Sequence, residues 1–499
     1  MHAALKTPEL LDMIVSELVF DMDREHALGQ LKAVALTCKI FLEAGLSRMW
    51  KAVESKPSLE DMLALLPPCA RGTTPEGHLT VARELTSPDV ARLLYYGQFV
   101  LVLSLGDNAP TIDAQSLSRI VTVMDRSAVF PRLRTMFWSM RGHHTEHLAA
   151  LVPASLGELD IEMIEFEPET LSDIAHATPQ LERLTLSLYS PHDSAQLGCL
   201  WEVWKVVRDL HIMLVGWDAA MLTAIRSLPR LASLTLGTVG GERPRALVYP
   251  PDGAQNTTIT ELRIWSIPEG TVYPPESLLE GLRPKVLSSL EVDCLNGRSA
   301  VVRFCNCVGR VCDVALLTHI DLGEHPSGPG DVGHMDDIRA LFRFRCLETV
   351  KLTISVDLKD SDVEEMGDHW PRLRELWLPA LENPRLTMLA LWNVARSFPS
   401  LEHLTITVNA ADAKWHSALT PPPRCSTLRT LDVGSSIAGT EPPLIAAQLA
   451  HLFPQLTAVA HDYGSEEDDM TQSTRWNTVI MLRPFFVQGM VMGFWGGAP

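Results

Sequence analysis

The stretch Leu181-Glu182-Arg183-Leu184-Thr185-Leu186-Ser187 places apolar residues in the order Leu-x-x-Leu-x-Leu. This pattern, with close aliphatic variants, occurs fourteen times and restarts every 23 to 33 residues. The starting residues are Val100, Leu133, Leu156, Leu181, Val207, Leu231, Ile259, Leu287, Leu317, Leu347, Leu373, Leu401, Leu428 and Leu456. Apolar side chains at alternate positions indicate a strand with one buried face, and the interval leaves room for one helix before the next strand.

A period of this length with this leucine pattern is typical of a leucine-rich-repeat solenoid. In that α/β fold a curved parallel sheet is connected by helical returns, and each repeat covers the apolar face of its neighbour. Proline stands two positions before many of the starting leucines, as at Pro179, Pro371 and Pro399. It ends the returning helix there because it lacks an amide hydrogen. Apolar spacing predicts such helices over residues 169–177, 218–227, 388–397 and 443–452.

In each predicted strand the leucines point inward, so the residues between them point to the concave face of the sheet. The carboxylates placed there are Glu158, Asp160, Glu162, Asp209, Glu261, Glu291, Asp293, Asp321, Glu375 and Asp432. The same register adds the cations Arg183, Arg263 and Lys351, and the aromatic residues Phe137, Trp265 and Trp377. Rigid aromatic side chains supply much of the binding energy at protein interfaces. We therefore predict that these aromatics and carboxylates, Asp432 excepted, bind a target protein; a merely solvated sheet surface is the alternative.

Composition restricts the partners that this face could bind. The net charge of −19 argues against nucleic-acid binding, which requires clustered Lys and Arg. No apolar run reaches the roughly 18 to 20 residues that span a bilayer, and the first residues lack the features of a secretory signal. Nine cysteines without regular spacing fit reduced thiols, so we expect a cytoplasmic or nuclear protein that binds other proteins.

The first 55 residues form a different unit, with three helical segments and no leucine repeat. It contains Pro8-Glu9-Leu10-Leu11 followed by Ile14 and Leu18, then Leu36-Thr37-Cys38-Lys39 with Phe41, and finally Leu46 and Trp50. Over roughly residues 4 to 53 this segment resembles an F-box. An F-box followed by leucine-rich repeats is similar to the F-box proteins that are abundant in mushroom-forming fungi.

The resemblance implies that this module docks on the Skp adaptor of a cullin ubiquitin ligase, while the repeats hold a substrate. The positions that it implicates in docking, or in supporting it, are Pro8, Leu10, Leu11, Ile14, Leu36, Cys38 and Phe41. A helical module of about 50 residues buries little surface alone, so it needs an adaptor or the adjoining solenoid to complete its core. The alternative is that the module only caps the repeats.

These observations predict five segments. Residues 1–55 are the F-box-like module, 56–98 a connecting helical segment, and 99–463 the solenoid. Residues 464–474 contain Glu466-Glu467-Asp468-Asp469 and are predicted to be an acidic loop. The apolar residues 475–499 are predicted to cap the open end of the solenoid.

Motifs that would indicate catalysis are weak. His143-His144-Thr145-Glu146-His147 contains the inverted zinc-protease order, but Thr145 is a suitable helix cap that would leave His143 outside the helix. Cys294, Cys305, Cys307 and Cys312 lack the spacing of structural zinc sites, so Cys305 and Cys312 are interpreted as core residues. We predict no enzyme activity, no metal and no cofactor.

The leading hypothesis is a substrate-recognition subunit of a Skp-cullin-F-box ubiquitin ligase, bound to the Skp adaptor and to an unknown target with a basic patch. The second hypothesis is a leucine-rich-repeat interaction scaffold with no link to ubiquitin, whose first module is only a cap. A hydrolytic enzyme would depend on His143, Glu146 and His147 alone.

Overall fold

The computed structural model describes residues 7–18, 24–50, 59–75, 79–106, 114–123, 130–140, 148–163, 168–189, 197–198, 200–238, 258–266, 274–324, 332–378, 384–411, 427–462 and 467–491. The chain divides into two compact units. Unit 1 comprises residues 1–232 and 237–245, and unit 2 comprises 233–236 and 246–499.

Unit 1 begins with three helices, α1 (Pro8–Glu17), α2 (Arg24–Thr37) and α3 (Lys39–Trp50). Pro8 suits the first turn of α1, where its missing amide hydrogen is not needed. Val15 of α1 joins Ala27 and Leu31 of α2 in a buried cluster against which Phe41 of α3 packs. This small core fixes which side of each helix faces outward.

The next segment contains α4 (Leu59–Leu63), a short 3₁₀ turn (Pro68–Ala70), β1 (Arg71–Thr73), β2 (Leu79–Val81) and α5 (Ser87–Gly97). Strands β1 and β2 pair antiparallel, with Gly72 opposite Thr80. The segment predicted as a helical connection over 56–98 thus contains two helices and, in addition, this small two-stranded sheet. Glycine at position 72 permits this close pairing, because the Cβ of any other residue there would lie 2.8 Å from the Thr80 hydroxyl oxygen.

The repeats of unit 1 contain strands of five or six residues separated by short helices. The strands are β3 (Val102–Gly106), β4 (Thr135–Met140), β5 (Glu158–Met163), β6 (Arg183–Leu188) and β7 (Asp209–Leu214). The helices are α6 (Ala114–Val123), α7 (Leu148–Leu151), α8 (Pro168–Ala177), α9 (Leu200–Val203) and α10 (Ala219–Arg226). Neighbouring strands from β3 to β7 pair in parallel and in register.

Asp89 at the start of α5 makes a testable contribution to stability. One carboxylate oxygen accepts hydrogen bonds from Arg83 at 2.7 Å, the Thr86 hydroxyl at 2.7 Å and the Thr86 amide at 2.9 Å. The Arg83 bond, followed by the Thr86 bonds, holds the pKa of Asp89 well below its usual range. Replacing Asp89 with alanine removes the carboxylate of a capping box and its bond to Arg83, which is 34% exposed. We therefore expect a loss of roughly 2 kcal/mol of unfolding free energy.

Because the folded-state pKa is lowered, this stabilisation is present above the unfolded pKa, about 3.9, and is lost as the pH falls through the folded value. In denaturant unfolding, the difference in unfolding free energy between wild type and Asp89→Ala should therefore decrease below pH 4. Asp173→Ala, which removes an exposed carboxylate on α8, is the control. A difference that stays constant with pH would contradict the assigned role of Asp89.

Unit 2 continues the strand-helix alternation. The division between the two units falls within β8 (Ser233–Thr238). The strands that follow it in unit 2 are β9 (Glu261–Ser266), β10 (Ser289–Leu295), β11 (His319–Glu324), β12 (Gly333–His334), β13 (Thr349–Thr353), β14 (Val356–Asp357), β15 (Glu375–Trp377), β16 (His403–Thr405), β17 (Thr430–Asp432) and β18 (Ala458–Ala460). Its helices are α11 (Pro275–Leu282), α12 (Arg298–Val311), α13 (Met335–Ile338), the 3₁₀ helix Arg339–Arg343, α14 (Asp360–His369), α15 (Met388–Ser397), α16 (Pro442–Leu452) and α17 (Glu467–Val491).

In the described part of the chain, fourteen strands follow one another in chain order in one sheet, from β3 to β18 with β12 and β14 outside it. This order, with parallel pairing and helical returns, is that of an α/β leucine-rich-repeat solenoid. The apolar positions form buried ladders, of which Leu290, Ile320, Val350 and Leu376 are one example. The predicted fold class is confirmed.

The predicted helices agree with the structure to within one or two residues at each end. Helix α14 ends at His369 before Pro371, and α15 ends at Ser397 before Pro399. At α10, Asp218 lies at the cap and accepts a hydrogen bond from the Met221 amide at 2.8 Å. Proline ends the returning helices as the sequence predicts.

Helix α17 differs from the prediction for the end of the chain. It begins at Glu467, so residues 467–474, predicted to belong to an acidic loop, are helical. Acidic residues are stabilising at the positive amino end of a helix, which explains why this charged stretch starts one. Of the described helices, none is both long and apolar enough to cross a bilayer.

Candidate functional site

The outward residues of β4 to β7 form a polar surface that we call the unit-1 sheet face. It comprises Thr135, Phe137, Ser139, Glu158, Asp160, Glu162, Arg183, Thr185, Asp209 and His211, all at least partly exposed. The register places Glu158, Arg183 and Asp209 side by side. In the next row Phe137 lies beside Asp160.

Hydrogen bonds and ion pairs hold the carboxylates of the unit-1 sheet face in place. Arg183 donates to Asp209 at 3.1 Å and lies 3.8 Å from Glu158. The hydroxyls of Thr135 and Ser139 donate to Glu158 at 3.1 Å and to Glu162 at 2.9 Å. Four carboxylates on this face stand against the single guanidinium of Arg183, so the face is strongly negative.

The outward residues of β9 to β17 form a second surface, the unit-2 sheet face. Its acidic, aromatic, arginine and lysine members are Glu261, Arg263, Trp265, Glu291, Asp293, Asp321, Lys351, Glu375, Trp377 and Asp432. One row across the strands contains Arg263, Glu291, Asp321, Lys351 and Trp377 in direct register. Arg263 lies 2.5 Å from Glu291, so the first charges of the row run positive, negative, negative and positive, with the two carboxylates of Glu291 and Asp321 side by side.

Two residues of the unit-2 sheet face have distinctive surroundings. Burial, followed by the neighbouring Glu291 carboxylate, raises the pKa of Asp321. The exposed Trp377 ring donates its N–H to Glu375 at 2.8 Å, and the Lys351 ammonium lies 4.5 Å from the ring centroid. These contacts hold an exposed aromatic side chain in one orientation, as a binding hot spot requires.

Every residue that the sequence assigned to target binding lies at an outward strand position and is at least partly exposed. Phe137, Glu158, Asp160, Glu162 and Asp209 belong to unit 1, and the others to unit 2. The alternation fails at Ser187, which is buried although its register position is outward. Its register partners are Glu162 and Met213, and these longer side chains flank it.

The helical module exposes large apolar side chains on α1, where Leu10, Met13, Ile14 and Leu18 form what we call the α1 apolar face. Spacings of three and four residues place them on neighbouring turns. At the end of α2, Leu36 is 74% exposed. Sequence reasoning missed Met13, which its position three residues after Leu10 could have indicated.

The other predicted adaptor residues have different environments. Leu11 is buried, so it supports the module rather than forming its surface. Phe41 packs against the buried cluster of the module. Cys38 is exposed, and hydrogen bonds from the amides of Phe41 and then Ile40 at the start of α3 lower the pKa of its thiol. The side chain of Pro8 lies outside the described residues.

The motifs considered for chemistry do not form a site in the described structure. Cys294, Cys305, Cys307 and Cys312 are buried, and burial raises the pKa of each thiol to about 12. The prediction that Cys305 and Cys312 are core residues is confirmed. Residues 143–147, with their His-x-x-Glu-His order, lie outside the described residues. No group of three or more His, Cys, Asp or Glu among the described residues is arranged to hold a metal ion.

No protein-family profile matches the sequence, and no curated protein matches it. Solved structures that match include the leucine-rich-repeat protein LegL7 of Legionella pneumophila, with 14% identity, a TM-score of 0.33, and coverage of 55% of this chain and 88% of that chain. An internalin, inlF, of Listeria monocytogenes has 14% identity and a TM-score of 0.39, covering 85% of this chain and 95% of that one. A chain of the yeast Rad7 and Elc1 complex has 13% identity and a TM-score of 0.33, covering 90% of this chain and 92% of that chain.

Proposed function

We propose that this protein is a non-enzymatic substrate receptor of a Skp-cullin-F-box ubiquitin ligase in the cytoplasm or nucleus. The helical module binds the Skp adaptor, and the two sheet faces bind a target protein. Catalysis belongs to the ligase partners. The receptor contributes effective concentration, because holding the target beside the ligase makes ubiquitin transfer quasi-intramolecular.

The observation that carries the proposal is the α1 apolar face. The module already has a core of its own around Val15, Ala27 and Leu31, yet it leaves several large apolar side chains in solvent. Contiguous exposed apolar residues mark interaction surfaces, and apolar anchors spaced three and four residues apart suit a helix that binds in a partner's groove. A Skp-type adaptor is the partner that the F-box resemblance implies.

The sheet faces support the second half of the proposal. They combine preorganised carboxylates with exposed or half-exposed aromatics, such as Phe137 and Trp377. A surface of this kind favours a target with lysine or arginine near an apolar group, because charge complementarity speeds the encounter and the aromatics supply binding energy.

Adaptor binding tests the proposal. We expect the purified full-length chain to bind a Skp adaptor saturably, and the double variant Leu10→Asp, Ile14→Asp to weaken that binding at least thirtyfold or so, since each residue would be a central apolar anchor. Both side chains are exposed, so helical content and thermal unfolding should stay close to wild type. Calorimetric titration measures the affinity.

The matched control is Leu316→Asp in unit 2, since Leu316 is 41% exposed and Leu10 is 36% exposed. It adds a charge at a comparable apolar position outside the module and should leave adaptor affinity unchanged. A folded wild-type chain that does not bind the adaptor would contradict the proposal and favour an interaction scaffold whose first module is only a cap.

A further inference from the structure

A cavity of about 560 Å³ opens among the helical elements of unit 2, on residues that the proposed function does not use. Its polar lining comes from Glu276 of α11, from Arg303, Asn306 and Arg310 of α12, and from Arg343 of the 3₁₀ helix. This volume lies within the range of small-molecule sites, roughly 300 to 1,000 Å³.

The spacing on α12 explains why three polar side chains meet there. Arg303, Asn306 and Arg310 are three and seven residues apart, which places them on one face of the helix over two turns. The opposite face of α12 is buried through Phe304, Cys305 and Val308. The polar stripe therefore has a fixed orientation, with Arg343 contributed by the following element.

The charge of the cavity is opposite to that of the chain. Its lining has three guanidinium groups and one carboxylate, and even with Glu280 beside Arg310 the local charge stays positive, whereas the chain carries a net charge of −19. Arg303 bonds Glu276 at 2.8 Å and Arg310 bonds Glu280 at 2.6 Å. The Arg310–Glu280 pair is exposed on both sides, 68% and 43%, so it contributes little and Arg310 can turn to a bound anion. Arg303 bonds the 15% exposed Glu276 through its Nε, which leaves its terminal N–H groups for the anion.

Arg343 differs from the other two arginines in its partner. Its guanidinium donates to the backbone carbonyl of Gly309 in the last turn of α12. A carbonyl oxygen carries no full charge, so this contact fixes the side chain at the cavity wall without neutralising it. The cavity thus contains two held cations, Arg303 and Arg343, and one adjustable cation, Arg310.

We infer that this arginine cavity binds the phosphate monoester group of a small ligand. Guanidinium groups match phosphate oxygens with two parallel hydrogen bonds, and a dianion gains more from three cations than a single carboxylate does. Asn306 adds an amide donor between Arg303 and Arg310. The inference is independent of the ubiquitin-ligase proposal, since none of these residues lies in the helical module or on a sheet face.

Calorimetric titration of the full-length chain with glucose 6-phosphate and with phosphoserine, two small phosphate monoesters, at fixed ionic strength tests the inference. We expect saturable binding, weakened at least tenfold or so by Arg310→Gln and by Arg303→Gln, because each variant loses a charge-assisted hydrogen bond.

The control is Arg339→Gln. Arg339 belongs to the same 3₁₀ helix as Arg343 and pairs with Asp336 at 2.7 Å and Glu365 at 3.1 Å, but it does not line the cavity. It should keep wild-type affinity. Absence of binding, equal weakening by Arg339→Gln, or equally tight binding of succinate would overturn the inference. Thermal unfolding checks that each variant is folded. If one of the two arginine variants does not fold, the other alone tests the inference.

Discussion

Replacing Glu158, Asp160 and Glu162 together with lysine is expected to slow the association of a basic target by ten- to a thousandfold at low salt. All three carboxylates lie on β5 in the unit-1 sheet face, and successive ones are about 6.6 Å apart along the strand. Clustered charges of one sign attract an oppositely charged partner and raise its association rate by this factor. The replacement reverses the sign of the face and should therefore repel the same partner.

Stopped-flow measurement with a lysine-rich peptide as the probe gives the association rate at several salt concentrations. The effect should shrink as salt rises, because the Debye length falls from about 30 Å at 0.01 M to about 8 Å at 0.15 M. The control exchanges three exposed carboxylates of unit 1 on helices α8 and α9, namely Glu169, Asp173 and Glu202, for lysine. Both triple variants change the net charge equally, so an equal slowing would show that the unit-1 sheet face has no special role.

Residue-level features of the repeats could be predicted from the sequence because they depend on short-range alternation. Leu184 and Leu186 point inward and Arg183 and Thr185 outward, since successive side chains of a strand point to opposite faces. The repeats are similar in length, so the alignment of neighbouring strands follows from the repeat pattern alone and requires no knowledge of contacts between distant residues. The same regularity placed the target-binding candidates on outward positions.

Contacts between distant segments could not be predicted in this way. The alternation gives Arg263 and Trp377 the same orientation, but it does not show that Lys351 lies over Trp377. Similarly, the arginine cavity combines α12 with Arg343, which lies 33 positions after Arg310. The local pattern of Arg303, Asn306 and Arg310 was visible in the sequence, whereas the element facing it was not.

The helical module shows a third limit, because apolar residues on one helix can serve either a core or a surface. Leu10 and Leu11 are adjacent and chemically identical, yet Leu11 is buried and Leu10 exposed. Helix α3 packs against α1, and Val15, one turn after Leu11, belongs to the buried cluster against which Phe41 of α3 packs. The F-box resemblance assigns both residues to the adaptor site. Only the packing of the helices shows that Leu11 supports the module and that Leu10 lies on its surface.

The end of the chain provides the largest expected effect on stability. Trp476 of α17 is fully buried, and its indole N–H donates to the Ser436 carbonyl oxygen at 2.9 Å. Helix α17 packs along α16, the returning helix that follows β17. We expect Trp476→Ala to cost about 3 to 5 kcal/mol, since it leaves a large cavity and an unpaired carbonyl.

The stability of a repeat array is a sum over neighbouring units, so this loss should be confined to the repeats nearest the end. Hydrogen exchange should show faster opening of α16 and β17 and unchanged protection of β4 to β6. Phe485→Ala, which truncates a side chain that is 70% exposed on the same helix, should change little. If loss of protection instead spread evenly along the chain, α17 would not act as a local cap, because a cap stabilises only the repeat that it covers.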